Sequence, residues 1–88
     1  MRFMVIDRFR NGNPGPVYAR FAQKGRMLPE GVVYLDSWVA DDGTHCYQLM
    51  DCASEADLRP WLDAWSDLVD FEVVAVTDSA AAARRFGR

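Results

Sequence analysis

The chain has 88 residues, 50% hydrophobic and 26% charged, with a net charge of -3. That is the composition of one globular domain with one modest core, and it excludes a disordered chain. The acidic balance, without a basic stripe carrying aromatics, argues against nucleic acid, and no apolar run approaches the roughly 20 residues of a membrane span.

Met1–Arg2 leads straight into a first predicted strand, Phe3–Phe9, so no signal peptide is expected and the cytoplasm is the default location. Dense turn chemistry follows in Arg10-Asn11-Gly12-Asn13-Pro14-Gly15-Pro16. Asn13 is a suitable N-cap for a helix over about Pro16–Lys24, where Val17, Phe21 and Lys24, with Tyr18 and Ala22 alongside, form an apolar stripe. Gly25 stands where a terminating glycine belongs. Arg26–Gly31 reads as a connector.

Val32–Ala40 and Thr44–Cys52 read as a hairpin around Asp41-Asp42-Gly43. One register pairs Trp38 with Cys46 and Asp36 with Gln48, while a slip of one pairs Trp38 with Tyr47. The first is preferred. It places Tyr34, Asp36, Trp38, Cys46, Gln48 and Met50 on one face and leaves Leu35, Val39, Tyr47 and Leu49 as the seat for helices. Cys46 and Cys52 lie six positions apart on one strand, roughly 20 Å, so they are expected as free thiols in a reducing compartment.

Ser54-Glu55-Ala56-Asp57 resembles a capping box. Leu58, Trp61, Leu62, Trp65, Leu68 and Val69 then repeat at helical spacing. Phe71–Thr77 is the fourth strand, and Asp78 or Ser79 caps a short terminal helix through Ala80–Ala83. Arg84, Arg85 and Arg88 form a basic tail, read as a solvated terminus.

The order strand, helix, strand, strand, helix, strand is that of an α+β, ferredoxin-like βαββαβ domain spanning residues 1–88. Right-handed crossovers place strands one and three at the centre of a four-stranded antiparallel sheet, with two helices on one face. Yet the strands are apolar on both faces, where a half-solvated sheet would alternate apolar and polar residues. A second copy of the chain is the simplest cover, so a homodimer packed through the sheet face is expected.

Met4-Val5-Ile6-Asp7-Arg8-Phe9, Lys24-Gly25-Arg26-Met27-Leu28-Pro29-Glu30-Gly31-Val32, Ser37-Trp38-Val39, Cys46-Tyr47-Gln48-Leu49-Met50 and Leu68-Val69-Asp70-Phe71-Glu72-Val73-Val74 resemble an uncharacterised bacterial family, domain of unknown function 3303. The likeness covers nearly all of the chain except the Arg-rich tail. It implies a dimeric α+β barrel, a superfamily that includes cofactor-free monooxygenases, muconolactone isomerases, haem-degrading enzymes and effector-binding domains. It carries over no catalytic residues, and so broad a fold selects no single function.

The candidate site residues each have a structural reading beside a functional one. Trp61 and Trp65 either pack the core or line an aromatic pocket. Tyr34, Trp38 and Gln48 either form the dimer interface or touch a ligand. His45, the single histidine, is either solvated beside the turn or a general base. Asp7 and Asp36 are carboxylates inside strands; Asp36 either pairs with an arginine (Arg8, Arg20 and Arg26 are available) or, desolvated, serves as a base. Cys46 lacks an obvious activating partner, haem degradation lacks an axial ligand on the second helix, and the residue spacings offer no metal site. No cofactor is expected. The first functional reading is a homodimer that binds an apolar or aromatic small molecule or simply assembles. The second is a cofactor-independent monooxygenase or isomerase acting on an aromatic or enolic substrate.

Overall fold

The computed structural model describes residues 1–87, so Arg88 of the basic tail lies outside the described residues. The elements in chain order are β1 (Arg2–Phe9), α1 (Gly15–Lys24), β2 (Val33–Val39), β3 (His45–Asp51), α2 (Arg59–Trp65), β4 (Val69–Val76) and α3 (Ser79–Phe86). The sheet is four-stranded and antiparallel throughout, in the order β2-β3-β1-β4. β1 and β3 are therefore central and β2 and β4 are edges, as right-handed crossovers require.

The helix ends follow local chemistry. Pro14, not the expected Asn13, is the N-cap of α1; Asn13 makes an Asx turn just ahead of it, its Oδ1 accepting from the Gly15 amide at 3.0 Å, and the Gly25 amide closes α1 on the Phe21 carbonyl at 2.8 Å with φ +68°. The Ser54 amide donates to Asp57 Oδ2 at 3.0 Å, the return half of a capping box, ahead of a short 3-10 turn that feeds α2. Asp78 Oδ1 accepts from the Ala81 amide at 2.8 Å and starts α3, whose last turn carries the exposed Arg84 and Arg85.

Two expectations change. The helical stripe does not run on to Leu68 and Val69: α2 ends at Trp65, and Val69 opens β4 opposite Phe9. The Arg10 amide donates to the Leu68 carbonyl at 3.0 Å, so sheet pairing claims the end of the apolar run. The hairpin keeps the preferred register at its open end, with Tyr34 opposite Met50, and adopts the alternative one toward the turn, with Trp38 opposite Tyr47 and Val39 opposite Cys46.

The cause of the second change is a β-bulge between Tyr34 and Asp36, which adds Leu35 to β2 without a partner on β3. Local bonds stabilise it: Asp36 Oδ1 accepts from the Ser37 amide at 2.8 Å, and the Tyr34 and Ser37 hydroxyls meet at 2.6 Å. A one-residue shift exchanges faces. It sends Asp36 and Trp38 outward while Tyr34 stays inward; on β3, pairing with Phe3, Val5 and Asp7 of β1 sets Met50, Gln48 and Cys46 under the helices, so Tyr47 and Leu49, the expected helix seat, face outward with Trp38.

The core is one cluster. Phe3, Val5, Met50 and Cys52 of the sheet side and Leu58, Trp61, Leu62 and Trp65 of the α2 side are buried, with Val32 between them. α2 supplies most of the cover. α1 has no buried residue and contributes only Val17 to the core's rim. It is instead held by Arg20, which makes two bonds to Asp67 (2.8 and 2.7 Å) and one to the Ala64 carbonyl (3.1 Å). The opposite sheet face carries Met4, Ile6, Tyr47 and Leu49, half-buried, beside exposed Trp38 and Val74, with no element of the described residues packed over it.

Candidate functional site

The connector after α1 positions the site. Its backbone turns through left-handed conformations at Gly25 (φ +68°) and, unusually for a side-chain-bearing residue, at Met27 (φ +59°). Strain of that kind costs about 1–3 kcal/mol and persists only where its surroundings over-determine it. Here they do. The turn points the Arg26 carbonyl inward, where Trp61 Nε1 and Trp65 Nε1 both donate to it at 3.1 Å. The two tryptophans of α2 thereby fix the backbone of Arg26, and its half-buried side chain reaches over the sheet.

The guanidinium of Arg26 lies 3.8 Å from the Tyr34 ring centroid and 5.2 Å from that of Phe21, a cation held between aromatic faces. Its Nε donates to Gln48 Oε1 at 3.0 Å, and Gln48 Nε2 donates to Asp7 Oδ2 at 2.7 Å. The polarity of this relay is forced. Arginine can only donate, so the amide oxygen of Gln48 must face it and the amide nitrogen must face Asp7.

Asp7 is 5% exposed, on a central strand directly opposite Cys46. Its Oδ1 is buried with no hydrogen-bond partner among the described residues. Burial pushes the carboxyl up to about 7, against the opposing pull of the Gln48 bond and the Arg26 charge. Burial, with Asp7 alongside, also pushes the Cys46 thiol up to about 11. Near neutral pH the relay therefore holds a carboxyl poised between its two charge states beside an uncharged thiol.

Above the relay is a cavity of about 230 Å³ between α1 and the sheet. Phe9, Tyr18, Phe21 and Trp65 give it aromatic walls, with Val17 and Val39; Arg26, Ser37, Cys46 and Gln48 are its polar edge. A second, wider trough of about 770 Å³ runs past Arg8, Arg10, Thr44, His45 and Asp70 at the hairpin end. It is open, and both of its arginines already have an ion-pair partner, since Arg8 (3.1 Å) and Arg10 (3.4 Å) share Asp70. The smaller cavity joins apolar walls to a few convergent polar groups, with a perturbed carboxyl behind its Gln48 wall, so it is the better binding site.

The family model described as a domain of unknown function, DUF3303, matches residues 1–88. The chain belongs to this family. The match includes the Arg-rich tail that the sequence resemblance left out. Among the curated proteins and the solved structures, none matches the chain.

In this member of DUF3303 the residues singled out from sequence fall into two groups. Tyr34, Gln48, Trp61 and Trp65 come together around Arg26: Trp61 is buried in the core, Trp65 both packs and lines the cavity, and Tyr34 stacks on the guanidinium. Trp38, Asp36 and His45 do not join them. Trp38 is 52% exposed on the opposite face, and Asp36 is exposed and bonded to the Ser37 amide. His45 Nδ1 meets the Thr44 hydroxyl at 2.7 Å while its ring stacks on Tyr47, in the open trough. The expected shared face of Tyr34, Trp38 and Gln48 is thus divided by the bulge.

Arg26 and Asp7 are the polar residues that sequence reasoning under-weighted. Asp7 had a signal, a carboxylate inside an apolar strand. Arg26 had none, because a connector carries no periodicity. Cys46 and Cys52 are both free thiols. Among the described residues no group of three or more His, Cys, Asp or Glu could hold a metal ion, and no helix is long and apolar enough to cross a membrane.

Proposed function

We propose that this chain is a small homodimeric binding protein that takes an apolar or aromatic small molecule into the cavity between α1 and the sheet. The observation that carries this reading is the cavity itself. α1 stands off the sheet with no buried residue, and four aromatic side chains line the space beneath it instead of filling it. Residues 1–88 act as one domain; its support is one continuous sheet over one core cluster. The strand order, read from the other edge as β4-β1-β3-β2, supports a ferredoxin-like split βαβ arrangement.

Dimerisation rests on the second face. Trp38, Val74, Met4, Ile6, Tyr47 and Leu49 form a contiguous apolar surface of the kind that marks association. The radius of gyration is 14.2 Å, where about 12 Å is usual for a chain this long, which also fits a protomer shaped to pack on a partner. Two sheets face to face would give the α+β barrel. The negative net charge speaks against nucleic acid, and two free cysteines suit a reducing cytoplasm.

The test is a fragment titration of single-ring aromatic compounds followed by amide chemical shifts. Binding shifts Phe9, Val17, Phe21 and Cys46 together, and Val17→Trp, which fills the cavity, abolishes the response. An absence of shifts at those residues, or shifts centred on Trp38, sinks the reading.

A cofactor-independent monooxygenase or isomerase is the second reading, favoured by the buried Asp7 carboxyl with an unpartnered oxygen beside the cavity. The base would be Asp7, not Asp36 or His45, which lie elsewhere. Gln48 stands between Asp7 and the cavity, so catalysis requires Gln48 to swing aside. Exchange of the acidic C–H of an enolisable aromatic ketone for deuterium, present in the wild type and lost in Asp7→Asn, would establish it; equal exchange in both would remove Asp7 from the chemistry.

A further inference from the structure

The polar edge of the cavity holds a cation without a counter-charge. None of the ion pairs among the described residues includes Arg26. Its Nε is taken by Gln48, and its two Nη groups meet no acceptor among the described residues. Asp7, the carboxyl on this side of the sheet, reaches Arg26 only through Gln48. Stacked between Tyr34 and Phe21, the guanidinium is fixed in plane and weakly hydrated, the condition under which it grips a planar carboxylate with two parallel bonds.

The volume limits the rest of the ligand. Cavities for drug-sized molecules run from about 300 Å³ upward; about 230 Å³ admits a single substituted ring. Phe9, Phe21 and Trp65 supply faces for that ring to stack on.

Resting on the binding reading above, we propose that the cavity selects a small aromatic carboxylate, its anion on the Nη edge of Arg26, and that Asp7 competes for the same cation through Gln48, so that binding draws a proton onto Asp7. The physics is reciprocal. Arg26 lowers the proton affinity of Asp7, and a ligand anion cancels that pull. Ligand therefore favours protonated Asp7, and protonated Asp7 favours ligand. Affinity is highest below the Asp7 titration near pH 7, falls as pH rises through it, and levels off above.

The groups that face Asp7 from the elements packed on it are few among the described residues, and His45, opposite Arg8 and next to Cys46 on β3, lies on the other face of the sheet with Ile6 and Arg8. Cys46 opposite it on β3 stays a thiol to about pH 11. Its β4 neighbour is Phe71, α2 presents Trp61 and Trp65, β2 presents Tyr34, and α1 offers Tyr18 and an Arg20 already held by Asp67.

The experiment is calorimetric titration of the full chain with benzoate and with its neutral amide, benzamide, at pH 6 and pH 8.5. The acid itself titrates near about 4, outside this range. The expected result is benzoate over benzamide by about tenfold or more at pH 6, a preference that shrinks about fivefold or more at pH 8.5. Arg26→Gln loses the preference; Asp7→Asn keeps it and makes it independent of pH. Equal affinity for the two compounds at pH 6 overturns the anion selectivity while leaving the aromatic cavity standing. Failure of both to bind at millimolar concentration overturns the cavity reading as well. A preference that persists unchanged at pH 8.5 in the wild type, or that keeps the wild-type pH dependence in Asp7→Asn, overturns the role of Asp7 even if Arg26→Gln fails to fold.

Discussion

Replacing Asp7 with asparagine should flatten the dependence of stability on pH. In the folded chain the Asp7 carboxyl titrates at about 7, against 3.8 for an exposed aspartate. Between those values the native state keeps a proton that the unfolded chain releases. Stability therefore falls as pH rises across this interval, and the contribution from protonation, full below about pH 4, is gone above pH 7. At about 1.36 kcal/mol per pH unit, the interval is worth about 4 kcal/mol. With 5% exposure the carboxyl has little water to screen it, so the figure needs no large discount. For a small domain with a total stability of about 5–15 kcal/mol the effect is large. The asparagine carries no charge at any pH. It retains an oxygen for Gln48 but turns an amide toward the unpartnered Oδ1 position, at a cost of about 1–3 kcal/mol. The wild type should thus lose about 3 kcal/mol between pH 4.5 and 8 relative to the variant, and Asp7→Asn should equal or exceed it at pH 8. Urea unfolding at fixed protein concentration across that range measures the difference, with concentration held constant because a dimer's stability depends on it. Parallel pH profiles for the two proteins would refute the desolvated-carboxyl account. The acid limb has another origin: the Arg20 bonds hold Asp67 down at about 2, so that contribution is lost only as pH falls from about 4 toward 2.

Three further outcomes are expected. Leu58→Ala, at a position with no exposure, should cost about 2–5 kcal/mol and lower the melting temperature by at least about 8 °C; a shift under about 3 °C would mean that the core cluster is wrongly placed. Cys46 should react with iodoacetamide at pH 8 far more slowly than a free thiol, because its thiolate is disfavoured up to about pH 11; labelling at the rate of free cysteine would contradict its burial beside Asp7. Trp38→Asp should convert a dimer seen by light scattering into a monomer while leaving far-UV circular dichroism unchanged; a dimer that survives this change would place the interface elsewhere.

Most of the scaffold was legible because its signals are local. Gly25, the Ser54–Asp57 box and Asp78 announce helix ends through side chains that bond their own backbone or a glycine that turns it, and right-handed crossovers then leave one strand order. The hairpin register was not legible. It depends on the bulge at Leu35, and Val33-Tyr34-Leu35-Asp36-Ser37-Trp38-Val39 carries an apolar side chain at enough positions to satisfy either face. Half the site followed from that choice. Asp36 looked like the desolvated carboxylate because the preferred register set it beside Trp38; it lies on an edge strand, where it reaches water. Asp7 lies on a central strand beneath Gln48, where it does not. The identity of the cation at the site was equally hidden. Arg26 owes its place to two indole bonds on its own carbonyl, made by residues 35 and 39 positions further along the chain.

Local and tertiary preferences agree nearly everywhere in this chain: caps bond the ends they precede, glycine occupies the left-handed turn after α1, and apolar residues pack into one cluster. Asp7 is the exception. It is a poor strand former at the centre of the sheet, half-satisfied, and carries a stability penalty of several kcal/mol at neutral pH. A leucine or asparagine there would make a more stable fold. Departures of that kind concentrate where a protein does its work. This one lies one glutamine away from an arginine with no ion-pair partner among the described residues, at the edge of an aromatic cavity that the chain leaves unfilled. Three independent departures (a buried carboxyl, an unmatched cation and an unfilled space) in one place have a common explanation if a ligand supplies the missing anion and fills the space, and none if α1 merely roofs the sheet.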